Sequence, residues 1–303
     1  MEANQFSRTA LVTAYIRAYH AAHDEPKIFD DLVAHRLITI EEPPSHRLRL
    51  IDSLQSAEPE LVSPYFNRTS ALPWWVRVIA GAVLSRARYV EDCLEQAIGQ
   101  GVRQYVILGA GMDTFAFRRL DLLEQLQVFE IDHPETQAFK RQRLAEVGLA
   151  PPKVLQFIPA DLEQENLATV LQHSSYDPEC LTFFGWMGVT YYLDPESVFA
   201  TLRAIAAVAP RCSSIVFDYL DTGFFAPENP HKSVRAVLDN VRRIGEPMST
   251  GFDPPELDRI LSRLGFRLHE DLSASDIEAR YFRARTDGYH AGNHIHFAWA
   301  AVR

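Results

Sequence analysis

Five short apolar runs, each followed by a turn and then by helical patterning, set the tightest limit on how this chain can fold. They are residues 105–108 (YVIL), 128–131 (VFEI), 154–158 (VLQFI), 181–184 (LTFF) and 214–219 (SIVFDY). Short, largely apolar runs suit strands covered on both faces. The segments 134–147 and 195–207 between them are helical in spacing, the second with Val198, Phe199, Leu202 and Ile205 along one side. Such alternation requires an α/β architecture, a largely parallel sheet with helices on both faces.

The two flanks differ from this pattern. Residues 1–100 read as a helical cap. Leu11, Val12, Tyr15, Ile16 and Tyr19 recur at helical spacing, and Pro43, Pro44, Pro59, Pro64 and Pro73 punctuate the next fifty residues or so. Val83, Leu84, Ala87, Val90, Leu94 and Ala97 then mark a second, strong helix stopped by Gly99 and Gly101. The remainder, 101–303, reads as one domain carrying a polar, lid-like insertion at 227–250. After it Asp253 and Pro254 open a helix with the stripe Leu257, Ile260, Leu261 and Leu264, closed by Gly265. Residues 267–272 and 294–302 read as two more strands. A hairpin-like return between them predicts that the last strand runs antiparallel to its neighbours.

Length and charge narrow the function classes. The 303 residues suffice for one large core. Acidic side chains outnumber basic ones, 40 to 30, for a net charge of −10, which disfavours a nucleic-acid-binding surface. The cysteines Cys93, Cys180 and Cys212 are too few and too scattered for a disulfide framework and suit a reducing cytoplasm. Residues 202–217, the richest apolar stretch, are broken by Arg203, Pro210 and Arg211, and no secretory leader is visible. A cytoplasmic protein without membrane or nucleic-acid partners is the expectation. The oligomeric state is not legible.

Candidate binding residues cluster where the apolar runs end. Gly109-Ala110-Gly111 follows the first run and allows a sharp turn with close approach to a ligand, although it also serves as a purely structural turn. Thr114 stands where the dinucleotide fingerprint places its third glycine, which weakens a pyrophosphate reading. Asp132 ends the second run; it can accept from both hydroxyls of a ribose or cap the helix that starts at Pro134. Glu130, on the same face, is the inferior candidate. Asp161-Leu162 follows the third run and could flank an adenine or cap a helix. Trp186 and Tyr192, in FGWMGVTYYL after the fourth run, are candidates for a pocket wall or for core packing.

The run VILGAGMDTFAFR at 106–118, with FEIDHP at 129–134, resembles the leucine carboxyl methyltransferase family. Looser matches are Ser7-Arg8-Thr9-Ala10, Arg17-Ala18 and Asp31 in the cap, the stretch 85–92 (SRARYVED), and Gly245-Glu246-Pro247. The resemblance implies a Rossmann-like class I fold and S-adenosyl-L-methionine as cofactor. It implies Arg86 at the methionyl carboxylate, Gly109, Ala110 and Gly111 along the cofactor, Asp132 on the ribose, and Asp161 with Leu162 at the adenine. Met187 stands where some members carry a Glu, and the local text is that of bacterial small-molecule members. The implied reaction is in-line methyl transfer to a carboxylate or hydroxyl oxygen of a small, polyketide-like molecule.

No catalytic base stands out among Tyr15, His20, Tyr191, Tyr192 and His231. His294 and His296 share a strand face but lack further ligands of metal type, so no metal is expected. Aromatic residues of the cap and insertion (Tyr15, Tyr19, Tyr65, Phe66, Trp74, Trp75, Phe224 and Phe225) suit an apolar acceptor or simple packing. The competing readings are an NAD(P)-dependent oxidoreductase and a non-catalytic nucleoside-cofactor binder.

Overall fold

The computed structural model describes residues 6–38, 74–226 and 232–303; Tyr65, Phe66, His231 and the five prolines from Pro43 to Pro73 lie outside the described residues, as do the side chains of Trp74 and Trp75. Seven strands form one sheet in the order β3-β2-β1-β4-β5-β7-β6. They span Gln104–Leu108 (β1), Gln127–Asp132 (β2), Leu155–Pro159 (β3), Thr182–Trp186 (β4), Ser214–Leu220 (β5), Phe266–Leu272 (β6) and Ile295–Val302 (β7). The first five pair in parallel, and β7 inserts antiparallel between β5 and β6. The expected antiparallel last strand is therefore present. It starts one residue later than the apolar pattern suggests, although one more backbone bond follows the ladder, from the Asp221 N–H to the His294 carbonyl at 2.9 Å.

Both faces of the sheet are covered. Tyr105 and Ile107 of β1 turn to one core with Val83, Leu84, Val90, Leu94 and Ala97 of the long helix Trp74–Gly99. Val106 and Leu108 turn to the other, where helix Pro195–Val208 contributes Val198, Leu202 and Ile205, and helix Pro254–Arg263 contributes Leu257 and Leu261. The strict alternation of pleat directions distributes one apolar run over two cores, which explains why β1, β4 and β5 are buried throughout.

Helix Arg8–His23 and the first core share Ile16, so the amino-terminal segment packs on the same apolar mass as the sheet. The insertion is less polar in effect than its composition suggests. Its helix Lys232–Arg243 sends Val234, Val237, Leu238 and Val241 toward the interior, at helical spacing that composition masks. The stretch between β6 and β7 holds the short helix Ala274–Ile277, a π-helical turn at Glu278–Phe282 and a loop.

The long helix passes very close to that loop. A Cβ built on Gly81 would sit 1.8 Å from the His290 carbonyl oxygen, a contact that cannot be accommodated without moving backbone. Gly81→Ala is therefore expected to cost about 1–3 kcal/mol in urea unfolding and to raise amide exchange in residues 288–292. Unchanged exchange there would contradict this packing.

Candidate functional site

The strand order reverses between β1 and β4: successive crossovers leave β1 toward β2 and β3 on one side, then return to β4 and β5 on the other. The loops that leave these two strands diverge, and the crevice between them is where open α/β sheets hold ligands. A cavity of about 1100 Å³ opens there. It exceeds the ordinary range of single-ligand pockets, roughly 300–1000 Å³, and so has room for two small molecules.

Arg86, Gly109, Ala110, Gly111, Asp132, Asp161 and Leu162 all line this cavity. Trp186 does not. As the last residue of β4 its indole turns to the opposite core, fully buried in a cluster that includes Phe184 and Tyr219, and its Nε1–H has no hydrogen-bond partner among the described residues. Its expected place in a pocket wall is therefore corrected to core packing: the pleat that turns Gly185 toward Tyr105 turns Trp186 away. Met187, Gly188, Val189, Tyr191 and Tyr192 form the wall instead.

The turn after β1 needs its glycines. Gly109 has φ +67° and Gly111 has φ +49°. A Cβ on Gly109 would lie 2.4 Å from Val189 Cγ2. The Gly111 N–H donates to Asp132 Oδ2, and the His133 N–H donates to Oδ1 at 2.7 Å. Asp132 thus reaches back to the glycine turn. The cap position of helix Pro134–Glu146 belongs to His133, so the capping alternative for Asp132 does not hold. Burial pushes the Asp132 carboxyl above its usual range, against those two N–H donors. Each oxygen keeps a second lone pair for a hydroxyl donor. Glu130 is excluded from the site, since it is paired with Lys140 in the interior and burial pushes its pKa up to about 7. Asp161 accepts from the Glu163 N–H at 3.0 Å and from Gln164 Nε2, also at 3.0 Å.

At the other end of the cavity Arg86, from the long helix, lies under the loop after β4. Its Nη1 donates to the Tyr191 hydroxyl at 2.7 Å and approaches Asp218 Oδ2 at 3.4 Å. Asp218 is fully buried on β5, and its Oδ1 accepts from the Gly188 N–H at 2.5 Å. Gly188 has φ +80°, and a Cβ there would lie 2.6 Å from Arg86 Nη2. Burial disfavours the Arg86 cation, yet Tyr191 and Asp218 outweigh that and raise its pKa. The same burial raises that of Asp218. Asp218 is absent from the sequence candidates, and Tyr191 is among them as one of the two tyrosines of a pocket wall and as a possible base, not as a partner of Arg86. An Asp in the middle of the apolar run SIVFDYL is the signal that could have found the first.

Two charged ties hold the amino-terminal segment over the cavity. Asp31, fully buried, accepts from Arg17 Nε at 2.9 Å, Thr114 Oγ1 at 2.7 Å and the Ala34 N–H at 2.9 Å. Arg17 also donates to the Met112 carbonyl at 2.7 Å. Glu246, from beyond the insertion helix, accepts from the N–H groups of Arg8 (2.6 Å) and Thr9 (3.2 Å) and from the hydroxyls of Ser7 and Thr9. Helix Arg8–His23 has no acidic residue in its own first turn, so Glu246 supplies the negative charge its amino terminus favours.

Burial opposes ionisation of Asp31, but Arg17 and Arg118 outweigh it and hold its carboxyl below the usual carboxylate range. A carboxyl with a depressed native pKa stabilises the fold fully above its unfolded value, about 3.9, and loses that contribution as pH falls through the native value. Asp31→Asn is expected to cost about 3–5 kcal/mol at neutral pH, with the gap to the parent closing in acid. Denaturant titrations from pH 7 to pH 2 check this; a gap independent of pH would contradict it.

The comparisons with known proteins agree with this geometry. A family model described as leucine carboxyl methyltransferase matches residues 10–206. The Bacillus subtilis (strain 168) protein YktD, provisionally named an S-adenosyl-L-methionine-dependent methyltransferase, is 35% identical over 312 aligned positions that cover 100% of both chains. A Saccharopolyspora erythraea protein with the same provisional description is 28% identical, over 92% of this chain and 89% of its own. Among solved structures, a DUF574 family protein from Streptomyces avermitilis shares the fold with a TM-score of 0.59 at 14% identity, covering 97% of each chain. A Thermobifida fusca protein provisionally described as a methyltransferase gives a TM-score of 0.58 at 13% identity, over 100% of this chain and 97% of its own. The chain belongs to the leucine carboxyl methyltransferase family and is an S-adenosyl-L-methionine-dependent methyltransferase with the class I fold.

Proposed function

We propose that this methyltransferase alkylates an oxygen, carboxylate or hydroxyl, of a small apolar molecule held beside the cofactor in the shared cavity. The observation that carries the reading is the pairing of two chemically distinct ends in one crevice: a carboxylate at the glycine turn and a cation under the loop after β4. Asp132 would accept from the ribose hydroxyls, and charge-assisted bonds of that kind contribute roughly 1.5–3 kcal/mol. Arg86 would meet the methionyl carboxylate, held as a cation by Asp218 and Tyr191. Asp161 and Leu162, on the loop after β3, would flank the adenine.

When bound, the cofactor supplies an electrophilic methyl group on a sulfonium, so the protein's part is alignment and exclusion of water. The cap and the segment 232–248 would close the acceptor side, with Val12, Ile79, Phe224, Val234, Val237 and Met248 presenting an apolar surface. Met187 stands where some members of the family carry a Glu that meets the cofactor's amino-acid end, and the surrounding text WMGVTYYL resembles that of bacterial small-molecule members, which supports a small acceptor over a protein terminus. Cys93, Cys180 and Cys212 are free thiols, which supports a reducing compartment such as the cytoplasm. No helix among the described residues is long and apolar enough to cross a membrane.

Calorimetry with S-adenosylhomocysteine and adenosine tests the two ends separately. Asp132→Ala is expected to weaken both ligands about 10- to 100-fold, because both carry the ribose. Arg86→Ala is expected to weaken S-adenosylhomocysteine by a similar factor and adenosine hardly at all, since adenosine has no carboxylate. Equal losses for the two ligands on Arg86→Ala would remove the assignment of that end, and binding of NAD in place of S-adenosylhomocysteine would remove the reading as a whole.

A further inference from the structure

The carboxyl end of β5 and the residue preceding β7 meet at the cavity's far side, where they bring together a carboxylate and an imidazole. His294 Nδ1 lies 3.0 Å from Asp221 Oδ1 and 3.1 Å from Oδ2, and His294 lines the cavity. The backbone fixes the pair as well, through the Asp221 N–H donating to the His294 carbonyl at 2.9 Å. Gly223 keeps the space clear: a Cβ there would lie 2.8 Å from Asp221 Oδ1 and 3.4 Å from His294 Cε1. The Phe224 ring packs edge-on against the imidazole at 5.9 Å. Both residues fall beyond 206, outside the part of the chain that the family model matches.

We infer that His294 is the general base of the transfer, oriented by Asp221, and that the acceptor is a hydroxyl compound of phenol or enol type rather than a carboxylic acid. The inference rests on the oxygen-acceptor reading above. A carboxylate accepts only, so the nitrogen facing Asp221 carries the proton and Nε2 of the neutral ring carries the basic lone pair. A carboxylic acid is already ionised at neutral pH and needs no such group, whereas a phenol does. In the step, the acceptor O–H bond breaks and its proton moves to Nε2. An oxygen lone pair forms the new O–CH3 bond while the C–S bond breaks with its electrons going to sulfur, and the imidazolium later releases its proton to water.

The distances suit a ring-sized acceptor. β7 stands three places from β1 in the sheet, about 14 Å at the usual spacing, which leaves room for cofactor and acceptor side by side. Among the described residues, the charged groups near the dyad include His296, whose Nε2 is 3.8 Å from Asp221 Oδ2, and Asp271, 3.8 Å from His296 Nδ1; His290, which also lines the cavity, is paired with Glu278 at 3.2 Å. His296 brings a second imidazole within 3.8 Å of the Asp221 carboxylate.

The test uses 4-nitrophenol and a series of less acidic para-substituted phenols with the whole chain. With S-adenosylhomocysteine bound, 4-nitrophenol should enter as the yellow phenolate at a pH one unit below its free pKa. His294→Gln should bind it largely neutral while keeping its affinity for S-adenosylhomocysteine. In turnover with S-adenosyl-L-methionine, His294→Gln should lower kcat at least about 100-fold on the least acidic phenols and progressively less as the phenol becomes more acidic. Asp221→Asn, a positioning variant, should lower kcat with acceptor KM within about twofold, because its amide can donate to Nδ1 and select the wrong tautomer. Equal ionisation of the ligand in parent and His294→Gln, a loss independent of phenol acidity, or failure of any phenol to bind would overturn the inference. Failure of the parent to bind S-adenosylhomocysteine would overturn the methyltransferase reading beneath it, a separate outcome.

Discussion

A single carboxylate below the surface, Asp218, ties together the elements that make the cavity. It takes the Gly188 N–H from the loop after β4 and faces the Arg86 guanidinium from the long helix, and it belongs to β5. A buried carboxylate without such partners is strongly disfavoured, so the loop, the helix and the strand have to arrive in one relative arrangement. Arg86 then stays charged in a site largely withdrawn from water. The requirement for glycine at 188 comes from the same arrangement, because the guanidinium occupies the volume a side chain would need.

The amino-terminal segment is fastened by charge as much as by apolar contact. Asp31 gathers two arginines and the Thr114 hydroxyl from the turn region after β1, so the segment is registered against the loop that contains the glycine hinge. Glu91 acts similarly one layer out, pairing with Arg118 and with Arg119. Pairs of this kind gain little when exposed, but here most partners are withdrawn from solvent, where their value lies in fixing geometry.

Much of the architecture was legible because it is written in local pattern. The apolar runs give strands within one or two residues, and the glycines at 109 and 111 with Asp132 mark the hinge, since strand ends and turn chemistry are properties of neighbours in sequence. The features that escaped are those that depend on pairing across the fold. Trp186 is indistinguishable from a wall residue until the pleat direction of β4 is known. Asp132 looks like a helix cap until the Gly111 N–H is seen to claim it. The helix at Lys232–Arg243 hides behind its basic and polar residues, although Val234, Val237, Leu238 and Val241 carry the period. Asp221 and His294 are 73 positions apart, and nothing in either local text announces the other.

The grip of Glu246 on the first helix has a bearing on how the chain comes together during synthesis. The N–H groups of Arg8 and Thr9 leave the ribosome well before their acceptor, which follows about 238 residues later. A contact of such sequence separation is made late. Until then the helix has water in place of its anion, and the roof over the crevice is unlatched; a residue made late completes a joint whose other half emerged long before it.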